Sequence, residues 1–220
     1  MDAREWDARY AAAAAAADTV WSVTPNATIG TLTETLPAGR ALDIASGEGR
    51  NAIWLAERGW QATALDFSEV ATARARELAA ARLGASATRF EAIAADVLGW
   101  PGWEAARAAY DLVLVVFLHL PAPQRRIVHR YAAAALAPGG RLIVLAHDRS
   151  NLTDGVGGPQ DPALLPRPDE VVADLDDTGL RIERAEVIDR VVPVPDSAAG
   201  PDAAEPRVAR DCLVVAIRSA

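Results

Sequence analysis

Short apolar runs alternate with stretches of helical spacing through the first two thirds of the chain. Arg40-Ala-Leu-Asp-Ile-Ala-Ser46 is an apolar run ended by Gly47 and Gly49, which predicts a buried strand and a tight turn. Asn51 to Arg58 has helical spacing and stops at Gly59. Gln61 to Leu65, closed by Asp66, predicts a second strand. Ser68 is placed to cap a helix that runs to about Leu83 and ends at Gly84. Thr88 to Ala94, closed by Asp96, predicts a third strand. Asp111 to Phe117 is a Leu/Val run of the kind found in parallel strands covered on both faces. Pro123 to Leu136 predicts a helix, and Pro138-Gly139-Gly140 turns the chain into a fifth strand, Arg141 to Ala146. Strands separated by single helices imply right-handed βαβ units and an open parallel sheet with helices on both faces.

The two ends break this rhythm. Arg4 to Asp18 carries seven consecutive alanines, Ala11 to Ala17, and predicts a helix. Trp21, Pro25 and Asn26 form a break before a second helix, Ala27 to Leu36. Asn151 to Pro168 is rich in Gly, Pro and Asp without a period, as functional or disordered loops are. Asp169 to Thr178 predicts a helix. Leu180 to Val192 and Asp211 to Arg218 predict strands joined by the long connection Pro193 to Pro206. No helix lies between them, so they pair antiparallel at a sheet edge. The fold class is therefore α/β: a doubly wound, seven-stranded, mostly parallel Rossmann-like sheet with an antiparallel strand at one edge and N-terminal helices.

Composition narrows the function classes. A chain of 220 residues that is 51% hydrophobic suits one folded domain with a full core. No apolar run approaches the roughly 20 residues that span a bilayer. The charged start MDAREWDARY lacks the order of a secretory signal, so a cytoplasmic location is expected. A net charge of -8 disfavours phosphate backbones, so nucleic acid is not an expected partner. The single Cys212 excludes an internal disulfide, and three separated histidines are a poor metal set, so no metal is expected. Monomer and homodimer both fit.

The candidate chemistry lies at Leu42-Asp43-Ile44-Ala45-Ser46-Gly47-Glu48-Gly49-Arg50-Asn51-Ala52. The glycines let a ligand approach the backbone at a strand-to-helix turn, and Asp66 stands where an acid grips a ribose hydroxyl pair. Gly47, Gly49 and Ala52 also satisfy a dinucleotide fingerprint, so an NAD-dependent oxidoreductase is a competing reading. Three details weigh against it. Asp43 is poorly placed beside a pyrophosphate but suited to an ammonium. Arg50 and Asn51 start a helix where a carboxylate is welcome. Asp96 suits an adenine amino group, with Phe67 and Val97 available to sandwich the ring.

The segment Arg40 to Val144 resembles the S-adenosylmethionine (SAM)-binding core of class I methyltransferases. LDIASGEGRNA resembles their first motif, Asp66-Phe67-Ser68 the second, Ala95-Asp96-Val97 the adenine motif, Asp111 to Leu120 the fourth-strand motif, and Leu136-Ala-Pro-Gly-Gly-Arg-Leu-Ile143 the late turn. GEGRNA, with the Trp/Pro/Asn stretch upstream, is most similar to the small-molecule branch related to tellurite-resistance and thiopurine methyltransferases. Ser46 stands where many relatives have cysteine or glycine. The resemblance covers about half the chain. It implies SAM as cofactor, with Asp43, Gly47 and Gly49 at its methionine end, Asp66 at the ribose and Asp96 at the adenine. Ser46, Arg50, Asn51, Phe67, Ser68, Val97 and Phe117 fall in or beside these motifs as further cofactor contacts.

Methyl transfer from a sulfonium to a small-molecule acceptor is an in-line displacement that needs alignment and often removal of a proton. His119 after the fourth strand and His147 after the fifth are the candidate bases. The resemblance places His147 and Arg50 facing the acceptor. His129, in mid-helix, is expected on a solvated face. The glycine-rich loop Asp148 to Pro159 and the N-terminal helices are expected to close over the pocket, with Trp6, Tyr10 and Trp21 offering aromatic contact to the sulfonium. The chain then divides into an N-terminal cap (1–38), a cofactor-binding core (39–147), and a substrate loop with antiparallel edge (148–220). A non-catalytic SAM-binding module is a third reading.

Overall fold

A computed structural model describes residues 3–16, 18–20, 22–192 and 207–220; Trp21 and the expected connection Pro193 to Pro206 lie outside the described residues. Seven strands form one sheet: β1 (Arg40–Ile44), β2 (Gln61–Asp66), β3 (Phe90–Ala94), β4 (Tyr110–Val116), β5 (Leu136–His147), β6 (Leu180–Val192) and β7 (Arg207–Arg218). Their order is β3-β2-β1-β4-β5-β7-β6. β1 to β5 are parallel. β7 runs antiparallel to both β5 and β6, so it lies between the parallel set and the outermost strand. The expected architecture is present, and the antiparallel pair is at one edge.

Alternation along the central strands feeds two cores. Leu112, Leu114, Ile143 and Leu145 face helices α3 (Arg50–Glu57) and α4 (Glu69–Leu83). Leu42, Ile44, Val113, Val115, Leu142 and Val144 face α6 (Ala122–Ala135) and α8 (Pro168–Asp174). Strands covered on both faces must be apolar at every position, which is why they stand out in the sequence. The N-terminal helices are α1 (Ala3–Ala15) and α2 (Ala27–Thr33). The remaining short helices, α5 (Trp103–Ala106) and α7 (Asn151–Asp154), carry too few residues for a periodic signal.

His129 corrects an expectation. It is 2% exposed, and its Nδ1 lies 3.1 Å from Asp174 Oδ2 on α8. Arg125 Nε donates to the same oxygen at 2.6 Å, and Arg126 Nε donates to Oδ1 at 3.3 Å. Burial lowers the His129 pKa, with the Asp174 carboxylate pulling the other way. This buried cluster fastens α8 to α6. Asp174→Ala would strip the nearest carboxylate from a nearly buried guanidinium. It is expected to cost about 3–5 kcal/mol, read as a lower urea midpoint at unchanged slope.

Candidate functional site

The turn after β1 is built around left-handed backbone. Ala45, Gly47 and Gly49 have φ values of 57°, 56° and 76°. A Cβ on Gly49 would stand 3.2 Å from Ala75 Cβ, so glycine lets α3 pack against α4 while it starts the helix. Gly47 N donates to Asp66 Oδ2 at 2.8 Å, and Ser68 N donates to Asp66 Oδ1 at 2.9 Å. The tip of β2 is thus tied to the bend. Burial raises the Asp66 pKa, and these amides oppose the rise.

Asp43 is 2% exposed, and both its carboxylate oxygens are buried with no well-aligned hydrogen bond among the described residues. Burial pushes its pKa up to about 7, with Arg50 and then the Ala52 backbone N–H acting in the opposite direction. A sealed carboxylate without well-aligned donors is costly unless a cation completes it. An ammonium group meets that need.

At the tips of the neighbouring strands lies a cleft of about 200 Å³ lined by Ala45, Leu65, Asp66, Phe67, Asp96, Val97 and Leu118, with small and leucine side chains between them. Apolar walls with two carboxylates at the rim suit a purine and its ribose. Phe67, Val97 and Asp96 therefore gather as expected. Phe117 does not line this cleft; it turns to the histidines described below.

The N-terminal segment is tied to the same turn. Val20 N donates to Glu48 Oε2 at 2.8 Å, Asn26 N to Asn51 Oδ1 at 3.0 Å, and Arg50 Nη1 to Ser22 Oγ at 3.3 Å. Ser68 Oγ bonds Asp7 of α1 and also caps α4 through Ala71 N. Asn51 and Ser68 thus have structural partners. Trp6 and Tyr10 stack at 5.6 Å, and Tyr10 is 4% exposed.

The histidines meet at the carboxyl ends of β4 and β5. The His119 and His147 rings stack at 5.5 Å, and Phe117 lies 5.0 Å from His147. Burial, then the neighbouring His147, lowers the His119 pKa to about 4, so this ring is neutral near pH 7. His119 Nε2 accepts from His147 N at 3.3 Å. Its lone pair is therefore occupied, which leaves His147 as the better base.

His147 Nδ1 lies 3.2 Å from Asp211 Oδ1. Asp211 and Arg190 were not singled out in the sequence. Asp211 pairs with His147 across the β5–β7 ladder and is fully buried. Arg190 reaches it from β6, with Nε to Oδ2 at 2.6 Å and Nη2 to Oδ1 at 3.2 Å. Burial alone would raise the Asp211 pKa, but the contacts with His147 and Arg190 outweigh it and hold the carboxyl below its ordinary value. An aspartate opening the otherwise apolar run Cys212 to Ile217 was the available signal.

The loop after β5 lies against His147. A Cβ on Gly158, whose φ is 75°, would stand 2.5 Å from His147 Cδ2 and 2.9 Å from Nε2. Asn151 holds this loop: Oδ1 accepts from Arg210 N at 2.8 Å, and Nδ2 donates to Gly157 O at 2.9 Å. Among the described residues, no helix is long and apolar enough to cross a membrane, and no group of three or more acidic, His or Cys residues could hold a metal.

Comparison with known proteins agrees with this fold. Residues 41–140 match a family model described as a methyltransferase domain. The 2-heptyl-1-hydroxyquinolin-4(1H)-one methyltransferase of Mycobacteroides abscessus is 31% identical over 135 residues, covering 61% of this chain and 57% of that protein. The match therefore spans a little over half of that relative's length. A structure described under conversion of a disulfide bond into a thioacetal group during echinomycin biosynthesis superposes with a TM-score of 0.69 at 23% identity, over 90% of this chain and 84% of that one. Magnesium protoporphyrin IX methyltransferase (ChlM) from Synechocystis PCC 6803 with bound S-adenosylhomocysteine (SAH) superposes with a TM-score of 0.61 at 19% identity, over 87% and 80%.

Proposed function

We propose that this chain, whose residues 41–140 match a methyltransferase-domain family model, is a class I SAM-dependent methyltransferase that moves a methyl group from SAM to a hydroxyl on a planar aromatic small molecule. The observation that carries the cofactor reading is Asp43, a buried carboxylate with no well-aligned hydrogen bond, two residues before Ala45 in the wall of a purine-sized cleft. A pyrophosphate does not account for it. The acceptor reading rests on the ring wall of Phe117, His147 and His119. A hydroxyl borne on a fused ring in the substrate named for the Mycobacteroides abscessus relative fits such a wall.

SAM supplies an electrophilic methyl group on a sulfonium. Asp43 would pair with its ammonium, Asp66 would use its remaining lone pairs for the ribose hydroxyls, and Asp96 would accept from the adenine amino group. Phe67, Val97 and Leu118 supply the apolar walls. His147 accepts the proton of the acceptor hydroxyl, because an oxyanion is the stronger nucleophile. Gly158 packs against the His147 ring. Residues 1–38 act as a cap, 39–147 hold the cofactor, and 148–220 contribute the acceptor loop and the base's partners.

Isothermal titration with SAM, SAH and NAD, followed by mass spectrometry of 2-heptyl-1-hydroxyquinolin-4(1H)-one incubated with SAM, tests this reading. Binding of SAM and SAH without NAD, and a mass gain of one methyl group, are expected. Tight NAD binding with no heat from SAM or SAH overturns it.

A further inference from the structure

We propose that Asp211 and Arg190 are positioning residues that decide which nitrogen of His147 carries the proton. The inference rests on the reading of His147 as the base. A neutral imidazole has one N–H and one lone pair, and only the lone pair can take a proton from an acceptor. Asp211 Oδ1 lies 3.2 Å from Nδ1. Nδ1 is buried without a well-aligned hydrogen bond, so Asp211 acts on it by proximity and charge: an ionised carboxylate can only accept, which favours the Nδ1–H form and leaves the lone pair on Nε2. Arg190 holds the carboxylate by two contacts, so its direction is set before the imidazole meets it. The imidazolium formed after proton transfer would have the same anion at its back.

The three residues come from three strands. His147 ends β5, Asp211 faces it across the ladder on β7, and Arg190 lies on β6, where Asp211 pairs with the preceding Ile188 and Arg210 with Asp189. The guanidinium also lies 5.1 Å from the Phe117 ring centroid, and Phe117 packs on His147. The base, its anion and the clamp on that anion thus form one packed unit. His119 contributes from the other side by accepting the His147 amide.

Asp211→Asn turns this into a directional test. The tighter Arg190 contact, Nε at 2.6 Å, keeps the amide oxygen, so the NH2 group takes the Oδ1 position facing His147 Nδ1. That NH2 donates, which selects the Nε2–H form and removes the lone pair from the acceptor side. The readout is a long-range proton–nitrogen NMR spectrum, which distinguishes protonated from bare ring nitrogens. The chain has three histidines, and His147→Gln identifies the signals to follow.

Wild-type protein is expected to show His147 protonated at Nδ1, and the Asp211→Asn variant at Nε2. With 2-heptyl-1-hydroxyquinolin-4(1H)-one as acceptor, kcat is expected to fall about 100-fold while the acceptor KM and SAH affinity stay within about twofold. A merely structural role would not switch the tautomer. Arg190→Gln, which keeps the carboxylate but loosens it, is expected to retain the Nδ1–H form with kcat down about tenfold. A wild-type His147 protonated at Nε2 overturns the proposal even if neither variant folds. An Asp211→Asn variant with unchanged tautomer and kcat also overturns it. If His147→Gln itself keeps full kcat, the base reading fails instead, and the two failures are thereby told apart.

Discussion

His147→Gln is expected to lower kcat for methyl transfer about 100- to 10,000-fold while SAH affinity stays within about twofold. The split follows from where the side chain stands. His147 is at the tip of β5 among Phe117, His119 and Asp211, whereas the proposed cofactor contacts sit on the turns after β1, β2 and β3. Glutamine can hydrogen-bond but cannot take a proton near neutral pH. His119→Gln serves as the contrast. Its ring is neutral, and its Nε2 is taken by the His147 amide, so the variant is expected to lose far less. Steady-state kinetics on both variants, with calorimetry of SAH binding, decides the matter. Equal losses in the two would remove His147 from its assigned role.

Asp43→Asn is expected to weaken SAM binding about 100-fold at pH 8, because a buried charge-assisted contact is exchanged for a neutral one. It is also expected to change the pH dependence. Burial pushes the Asp43 pKa up to about 7, with Arg50 opposing, so the free protein holds a proton there below neutrality. A cationic ligand binds the ionised form and releases that proton. Wild-type affinity is therefore expected to fall by up to about tenfold per pH unit below 7 and to level off above it. The variant should lack this slope.

The cofactor-free protein gives the opposite sign for stability. A carboxyl whose folded pKa lies above its ordinary 3.8 binds protons more tightly in the native state. Native stability then falls as pH rises from about 4 to 7 and is flat beyond. Asp43→Asn is thus expected to raise the unfolding midpoint of the cofactor-free protein at pH 8 while it cripples SAM binding. Thermal unfolding with and without SAM reads both effects. A variant destabilised in both states would show that Asp43 serves the fold rather than the ligand.

What the sequence made legible depends on range. The central strands declare themselves because double coverage leaves no polar position in Leu112 to Val116. Asp43, Gly47, Gly49 and Asp66 declare themselves because one strand-turn-helix unit and the next strand tip hold them all. His129 was misread because its partner, Asp174, arrives from a different helix. Asp211 and Arg190 escaped notice for the same reason. Their meeting with His147 is decided by the order of strands at the sheet edge, and no local spacing encodes that order. Asn51 and Ser68 lie in the recognised motifs, yet their side chains bond the N-terminal segment, which no motif mentions.

The placement of β7 between β5 and β6 sets a timetable for the chain's assembly. The glycine bend and its carboxylates belong to the first half, on β1 and β2 and the turns after them. The imidazole gains its anion only when the final hairpin slots into the sheet. Competence for transfer would report that the last strand has docked.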